Sequence, residues 1–431
     1  MRLVINPAER ALRGVYRPPG DKSISHRAAI LGGLAAGETE IHGFLDSADT
    51  RATLSAMQQL GARIDESNGI IRMQGGSLCA PSEALDLGNS GTGMRLLAGA
   101  LAGHPDLIGQ RVTLTGDESL SRRPMARIIE PLAHMGARIT SDDGHAPLAI
   151  KPSNLSGKRH ALSVASAQVK SALLLAGVFA EGDTVVLEPG VSRDHTERML
   201  PAFGAILHDG EPGVAIRGRQ ELTGTRIEVP GDLSSAAFVL GAGLLVGDSE
   251  IELEGVGLNP TRSGVIDIVR AMGAGLRIDG DQTAGGEPTG RLRVDAGVLH
   301  GVDIAPDLVP LAIDEFPLIM ALAAAAEGRT RIRGASELRV KESDRIAVMC
   351  RELARLGVEV EELDDGAVIT GGRICAGEVD SHGDHRVAMS LAVLALVAEG
   401  PVVIDNADWI RTSYPGFVDD MRGLGAELEW K

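Results

Sequence analysis

The feature that most constrains this chain is a triplet of hydrophobic residue, glycine and small residue that returns six times. It stands at Leu60-Gly61-Ala62, Met135-Gly136-Ala137, Phe203-Gly204-Ala205, Met272-Gly273-Ala274, Leu356-Gly357-Val358 and Leu424-Gly425-Ala426. Each copy follows an amphipathic helical pattern and precedes a strand-like run such as Arg63-Ile64-Asp65 or Glu427-Leu428-Glu429. Glycine there is a helix stop, because it takes positive φ just past the last turn. The glycines are 75, 68, 69, 84 and 68 residues apart. The long fourth interval holds the turn-rich stretch 280–290, which reads as a surface insertion. Self-similarity at a fixed period gives the architecture before any motif is consulted.

A second recurrence has the same period. Helical runs of small apolar residues cover 26–37, 94–103, 169–182, 234–247, 316–328 and 385–400, each ending in glycine and leading to a strand such as Glu38-Thr39-Glu40-Ile41. Short strands alternating with helices of this length indicate α/β units, read as strand, helix, strand, helix, strand, strand. Alanine and glycine dominate these helices, so they can approach closely and lie buried. Six such repeats exceed one core, so two domains of three repeats are expected. The first spans 20–230. The second joins 1–19 to 231–431, with a crossover at each of the turns Pro19-Gly20-Asp21 and Pro230-Gly231-Asp232.

Composition narrows the function. Aromatic residues make up 2% of the 431, and the formal net charge is −17. Few stacking side chains and a negative body argue against nucleic acid or an anionic membrane as partner. Three cysteines without a CxxC pattern give neither a disulfide framework nor a zinc signature. The first residues are too short in apolar content for a signal peptide, and the longest mainly apolar run, 387–398, is below a membrane span. A cytoplasmic setting is expected.

Within this acidic chain, cations gather beside glycine and serine at helix starts. The segments are Gly20-Asp21-Lys22-Ser23-Ile24-Ser25-His26-Arg27, Gly88-Asn89-Ser90-Gly91-Thr92-Gly93-Met94-Arg95, Ser121-Arg122-Arg123-Pro124, Ser166-Ala167-Gln168-Val169-Lys170 and Ser192-Arg193-Asp194-His195-Thr196. Lys341-Glu342-Ser343-Asp344-Arg345 and Asp384-His385-Arg386 follow in the last two repeats. Free N–H groups and the positive dipole end make helix starts anion sites. Taken singly, each serine or aspartate is an ordinary cap, each arginine a solvated side chain, and Asp314-Glu315 a complement to a helix dipole. Recurrence at equivalent points of the repeat is what makes them a set. Pro124 is expected at a first helical position. Lys341 and Arg345, four residues apart, are expected to share a helix face. Faces of this kind opposed across a hinge form a basic cleft for a ligand with several anionic groups. The patterns GxxxxGK[ST], GxGxxG after a strand, and GxSxG are absent.

These segments, together with Arg339-Val340 before Lys341, closely resemble 5-enolpyruvylshikimate-3-phosphate synthase, in the right order over 22–415. Ser166 to Ser171 and Asp194 to Glu197 are similar to the bacterial subgroup called class II. The resemblance implies an α/β fold of two domains, each of three βαβαββ units, with the ligand cleft between them. It implies transfer of the enolpyruvyl group of phosphoenolpyruvate to the 5-hydroxyl of shikimate 3-phosphate, in aromatic amino-acid biosynthesis. It implies no metal or organic cofactor, small anionic substrates as the only partners, and a monomer. By the same resemblance Lys22, Ser23, Arg27, Ser166, Gln168, Arg193, Asp314 and Lys341 bind shikimate 3-phosphate. Lys22, Asn89, Gly91, Arg123, Gln168, Arg345 and Arg386 bind phosphoenolpyruvate. Asp314, Glu342 and Lys22 are catalytic: Asp314 takes the hydroxyl proton and Glu342 protonates the methylene carbon. Gly91 stands where herbicide-tolerant members carry alanine, which leaves room for glyphosate beside it. The chain departs from the family pattern at Ala167, Glu337 and Thr412; Arg411 is adjacent to the last. Two alternatives share the scaffold: a UDP-N-acetylglucosamine enolpyruvyl transferase, whose loop cysteine is missing from 116–123, and a noncatalytic anion-binding protein.

Overall fold

All six repeat glycines have left-handed backbone conformations, with φ of +108°, +103°, +84°, +93°, +84° and +108° in chain order. A side chain is strained there, so the triplet is a chain-reversal device and not a packing accident. The structure, a computed structural model, describes residues 1–210 and 213–431. Five of the glycines end the outer helices Ala48–Gln59, Ala126–His134, Gly264–Ala271, Arg345–Arg355 and Phe417–Gly423. The third repeat differs from the expected pattern. Its outer helix is one α-turn, His195–Met199, that tightens into the 3₁₀ turn Leu200–Phe203. Pro201 explains the change, because it has no N–H to continue an α-helical ladder.

Each repeat wraps a sheet around a buried inner helix. The inner helices are Lys22–Leu34, Gly91–Ala102, Ala167–Phe179, Leu233–Leu245, Phe316–Ala325 and His385–Ala395. In the first sheet Arg226–Glu228 pairs in parallel with Gly37–His42, which pairs antiparallel with Ile70–Gly75 and so on to Arg63–Ser67. The other sheets repeat this order of one parallel and two antiparallel ladders. The fifth has three strands, with two isolated parallel bridges, His300 to Glu327 and Asp303 to Arg331, where the fourth would run.

The chain divides into two compact units. One, the terminal unit, holds Met1–Pro19, Gly231–Gln282 and Pro288–Lys431. The other, the inserted unit, holds Gly20–Pro230 and Thr283–Glu287. Strand Leu3–Asn6 sits between Val402–Asp405 and Glu427–Trp430, and Arg13–Tyr16 pairs in parallel with Glu250–Gly257. Each unit has its own aliphatic core. In the inserted unit the inner helices touch backbone to backbone. A Cβ on Gly99 would lie 2.1 Å from the carbonyl oxygen of Ala172, so only glycine fits there. No helix among the described residues is long and apolar enough to cross a membrane.

Two expectations are corrected. The stretch 280–290, expected as a turn-rich surface insertion, is part of the hairpin Gly275–Ala284 and Glu287–Asp295, turned by Gly285-Gly286 at φ +57° and +83°. Its tip belongs to the inserted unit, where Glu287 is 1% exposed and its Oε1 lies 2.7 Å from His195 Nδ1. Pro124 is not a first helical residue: the helix begins at Ala126 after Met125.

Candidate active site

In the inserted unit the sequence-selected residues lie at the starts of the inner helices and in the loops beside them. Asp21 caps the Lys22 helix by accepting the N–H of Ile24 at 2.9 Å, which places Lys22 and Ser23 in its first turn. Lys22 Nζ is 2.5 Å from Asp49 Oδ2, a carboxylate that the motifs did not single out. Arg27 is 3% exposed. It donates to the Ser23 carbonyl at 2.9 Å, Thr196 Oγ1 at 2.7 Å and Ser171 Oγ at 2.7 Å. Burial pushes its guanidinium down to about 10, against the pull of Glu197 and Asp21.

Ser90 caps the Gly91 helix through the N–H of Gly93. His26, fully buried, reaches Thr53 Oγ1 at 2.9 Å with one ring nitrogen and Ser90 Oγ at 3.4 Å with the other. Burial, with Lys22 and Arg27 nearby, holds this imidazole well below its usual range, so it is neutral at pH 7. Arg123 is clamped on Asn89, donating to its side-chain oxygen at 2.5 Å and to its carbonyl at 3.3 Å, while Asn89 Nδ2 donates to Asp117 at 2.8 Å. Gln168 is oriented from both sides: Arg95 donates to its oxygen at 2.6 Å, and its amide donates to Thr92 at 2.8 Å. Ser166 caps the Ala167 helix, and Arg193 lies in the loop before His195–Met199.

The terminal unit holds the second cluster. The helix that was expected to carry both Lys341 and Arg345 starts only at Arg345, because Asp344 caps it by accepting the N–H of Ala347 at 3.0 Å. Lys341 precedes it in extended backbone, so the two cations do not share a helix face. They meet instead at Asp314: Lys341 Nζ and Arg345 Nη1 are each 3.6 Å from Asp314 Oδ1. Arg386 Nη2 is 3.9 Å from Asp314 Oδ2, and its Nη1 donates to the Asp314 carbonyl at 3.0 Å. Glu342 accepts from Arg345 Nη2 at 2.7 Å.

Arg345 is 1% exposed, and Asp384 holds it from behind through Nε at 2.8 Å and Nη2 at 3.3 Å. Burial opposes the charge on Arg345, but Asp384, Glu342 and Asp314 outweigh it and hold the guanidinium above its usual range. Burial likewise opposes ionisation of Asp384, and Arg345 and His385 outweigh it downward. Asp384 also caps the His385 helix. Glu315 accepts from the Ser234 hydroxyl and lies 3.6 Å from Arg386 Nη1, so it braces an arginine and does not cap its own helix. Arg411 stacks on Trp430, 5.2 Å from the ring centroid, and Thr412 bonds within its own turn at 2.7 Å.

The terminal cluster is thus a pair of carboxylates among three cations, and the inserted cluster a set of cations and amides on helix starts. Each cluster by itself suits an anionic ligand, and the carboxylates of the terminal one suit a proton transfer. The family EPSP synthase (3-phosphoshikimate 1-carboxyvinyltransferase) matches residues 7–421. The chain belongs to the EPSP synthase family. It is similar to the 3-phosphoshikimate 1-carboxyvinyltransferase of Halorhodospira halophila, 53% identical over 427 residues, 97% of this chain and 95% of the relative. It is also similar to that of Acidithiobacillus ferrooxidans, 51% identical over 432 residues and 99% of both chains. EPSP synthase from Acinetobacter baumannii superimposes with a TM-score of 0.88 at 43% identity, over 99% of each chain. The enolpyruvyl transferase NikO from Streptomyces tendae gives 0.79 at 19% identity, over 99% of this chain and 98% of that one, and shows the shared fold alone. The architecture is therefore the mixed α/β, two-domain EPSP synthase fold. The activity is that of the EPSP synthase family, a transferase step of the shikimate pathway. The nucleotide-sugar and noncatalytic alternatives are not favoured.

Proposed function

We propose that Lys22, Asp314 and Glu342 carry the chemistry, with both substrates held by the cations around them. The inserted unit supplies the shikimate 3-phosphate side through Lys22, Ser23, Arg27, Ser166, Gln168 and Arg193. Asn89, Gly91, Arg123 and Gln168, with Arg345 and Arg386 of the terminal unit, hold phosphoenolpyruvate, and Lys341 assists shikimate 3-phosphate. Asp314 removes the proton of the 5-hydroxyl as its oxygen bonds to C2 of phosphoenolpyruvate, and Glu342 gives a proton to C3. The resulting tetrahedral adduct then loses a proton from C3 and breaks the C2–O bond, which releases phosphate and restores the vinyl group. Lys22 acts by positioning and by offsetting charge. The observation that carries this reading is the convergence of Lys341, Arg345 and Arg386 within 4 Å of Asp314, with Glu342 on the same buried arginine.

We further propose a cytoplasmic monomer of the class II subgroup. The subgroup reading rests on the wording of Ser166 to Ser171 and Asp194 to Glu197. The test of function is phosphate release from phosphoenolpyruvate with shikimate 3-phosphate and, in parallel, with UDP-N-acetylglucosamine. Release is expected only with the first acceptor; release only with the second reverses the assignment.

Gly91 gives a sharper check of the phosphoenolpyruvate side. A Cβ there would lie 2.9 Å from Arg95 Nη1 and 3.2 Å from Arg123 Nη1, so both guanidinium ends must give way. Gly91→Ala is expected to raise the KM for phosphoenolpyruvate by about three- to tenfold, with little change in that for shikimate 3-phosphate. Equal KM values for phosphoenolpyruvate in both proteins would remove Gly91 from that site.

A further inference from the structure

Behind the shikimate 3-phosphate residues lies a buried ionic cluster that their roles do not use. Lys170, one turn into the Ala167 helix, has a side chain only 5% exposed. Its Nζ is 2.7 Å from Glu188 Oε2 and 2.8 Å from Glu197 Oε1, and it donates to the Ser192 carbonyl at 3.4 Å. The other oxygen of Glu188 accepts two bonds, from the Ser192 hydroxyl at 2.5 Å and from the Ser166 N–H at 3.2 Å. These contacts join three separate pieces of chain. Ser166 is the cap of the inner helix, Ser192 immediately precedes Arg193, and Glu197 sits on the short helix His195–Met199.

We propose that Lys170 and Glu188 are positioning residues that fix the spacing of Ser166 and Arg193, and so set the affinity for shikimate 3-phosphate. The inference rests on the substrate assignment above and deepens it. A short cap and a loop arginine can bind one rigid phosphorylated ring only if their separation is held before the ligand arrives. Neither Ser166 nor the 188–194 loop has a ladder to hold it, since strand Thr184–Leu187 ends just before Glu188. The charge-assisted bond of Glu188 is shared by both and ties one to the other. Burial opposes the Lys170 charge, yet Glu197 and Glu188 hold it above the usual range, so the clamp stays charged at working pH. The desolvation cost of such a buried pair offsets much of its attraction, so the role proposed for it is geometry and not stability. Neither residue touches substrate in this account.

The experiment is steady-state kinetics on Glu188→Gln, Lys170→Met and Lys170→Arg, with Ser166→Ala beside them, each checked for folding by its melting curve. Glu188→Gln keeps the side-chain shape and decides the matter if Lys170→Met does not fold. The expected result is a KM for shikimate 3-phosphate raised at least about tenfold in Glu188→Gln, a KM for phosphoenolpyruvate within about twofold, and Lys170→Arg closer to the parent than Lys170→Met. Two results overturn the proposal: an unchanged KM for shikimate 3-phosphate in folded Glu188→Gln while Ser166→Ala raises it, or a fall in kcat with both KM values rising together, as a merely structural role gives. If Ser166→Ala also leaves that KM unchanged, Ser166 is no contact of shikimate 3-phosphate, and the inference built on its placement falls with it.

Discussion

Asp314→Asn is expected to lower kcat by about 10²- to 10⁴-fold, with the fold intact. The amide has the shape of the carboxylate but cannot take up the 5-hydroxyl proton. It also leaves Lys341, Arg345 and Arg386 without the anion they surround at 3.6 to 3.9 Å. Arg345 keeps its bonds to Asp384 and Glu342, so the loss falls on chemistry and not on stability. Glu342→Gln is expected to fall as far, because an amide cannot deliver a proton to carbon. If both groups act in one addition step, the double variant is far less impaired than the product of the single losses. Phosphate release measured beside melting curves checks this. A folded Asp314→Asn protein within about tenfold of parental kcat would show that Asp314 is not the base.

The largest expected effect on stability comes from Asp384→Ala. Asp384 is fully buried, pairs with Arg345 through two nitrogens, accepts from the Ser343 hydroxyl at 3.1 Å and caps the His385 helix. Arg345 is among the largest fully buried side chains in the protein. Removing Asp384 leaves that guanidinium short of its fully buried partner, at a cost of about 3–5 kcal/mol, and the lost cap adds about 1 kcal/mol. A fall in Tm of roughly 10 °C is expected for a unit of this size. The pH dependence has a definite sign. The folded-state pKa of Asp384 lies below its ordinary 3.8, so its contribution is complete above that value and is lost as pH falls through the folded value. The gap between parent and variant should therefore close in acid, below about pH 4. A constant gap from pH 7 to pH 3 would mean that the capping bond, not the charge, is what Asp384 contributes.

These expectations depend on contacts of very different legibility. The six glycines could be read as helix stops because positive φ is a property of single residues, and all six have it. Caps at Asp21, Ser90, Ser166, Asp232 and Asp384 could be read because each bonds within three residues of itself. Lys341 and Arg345 mark where local reading fails. Four-residue spacing means a shared face only inside a helix, and Asp344 starts the helix too late for Lys341 to join it. The hairpin over 280–290 was obscured by its glycines, which mark a turn but say nothing of where Glu287 is buried.

The chain by itself determined the repeat, the inner helices, most of the outer ones, and which helix starts gather cations. Those follow from periodicity, capping and φ, which act over a few residues. The structure alone decided that Asp49 meets Lys22, that Arg95 and Thr92 orient Gln168, that Asp384 backs Arg345, and that Glu188 ties Ser166 to Ser192. Each of these joins different elements, most of them far apart in the chain. Such pairs are selected by packing and by the cost of leaving a buried charge unpaired, neither of which has a local signature.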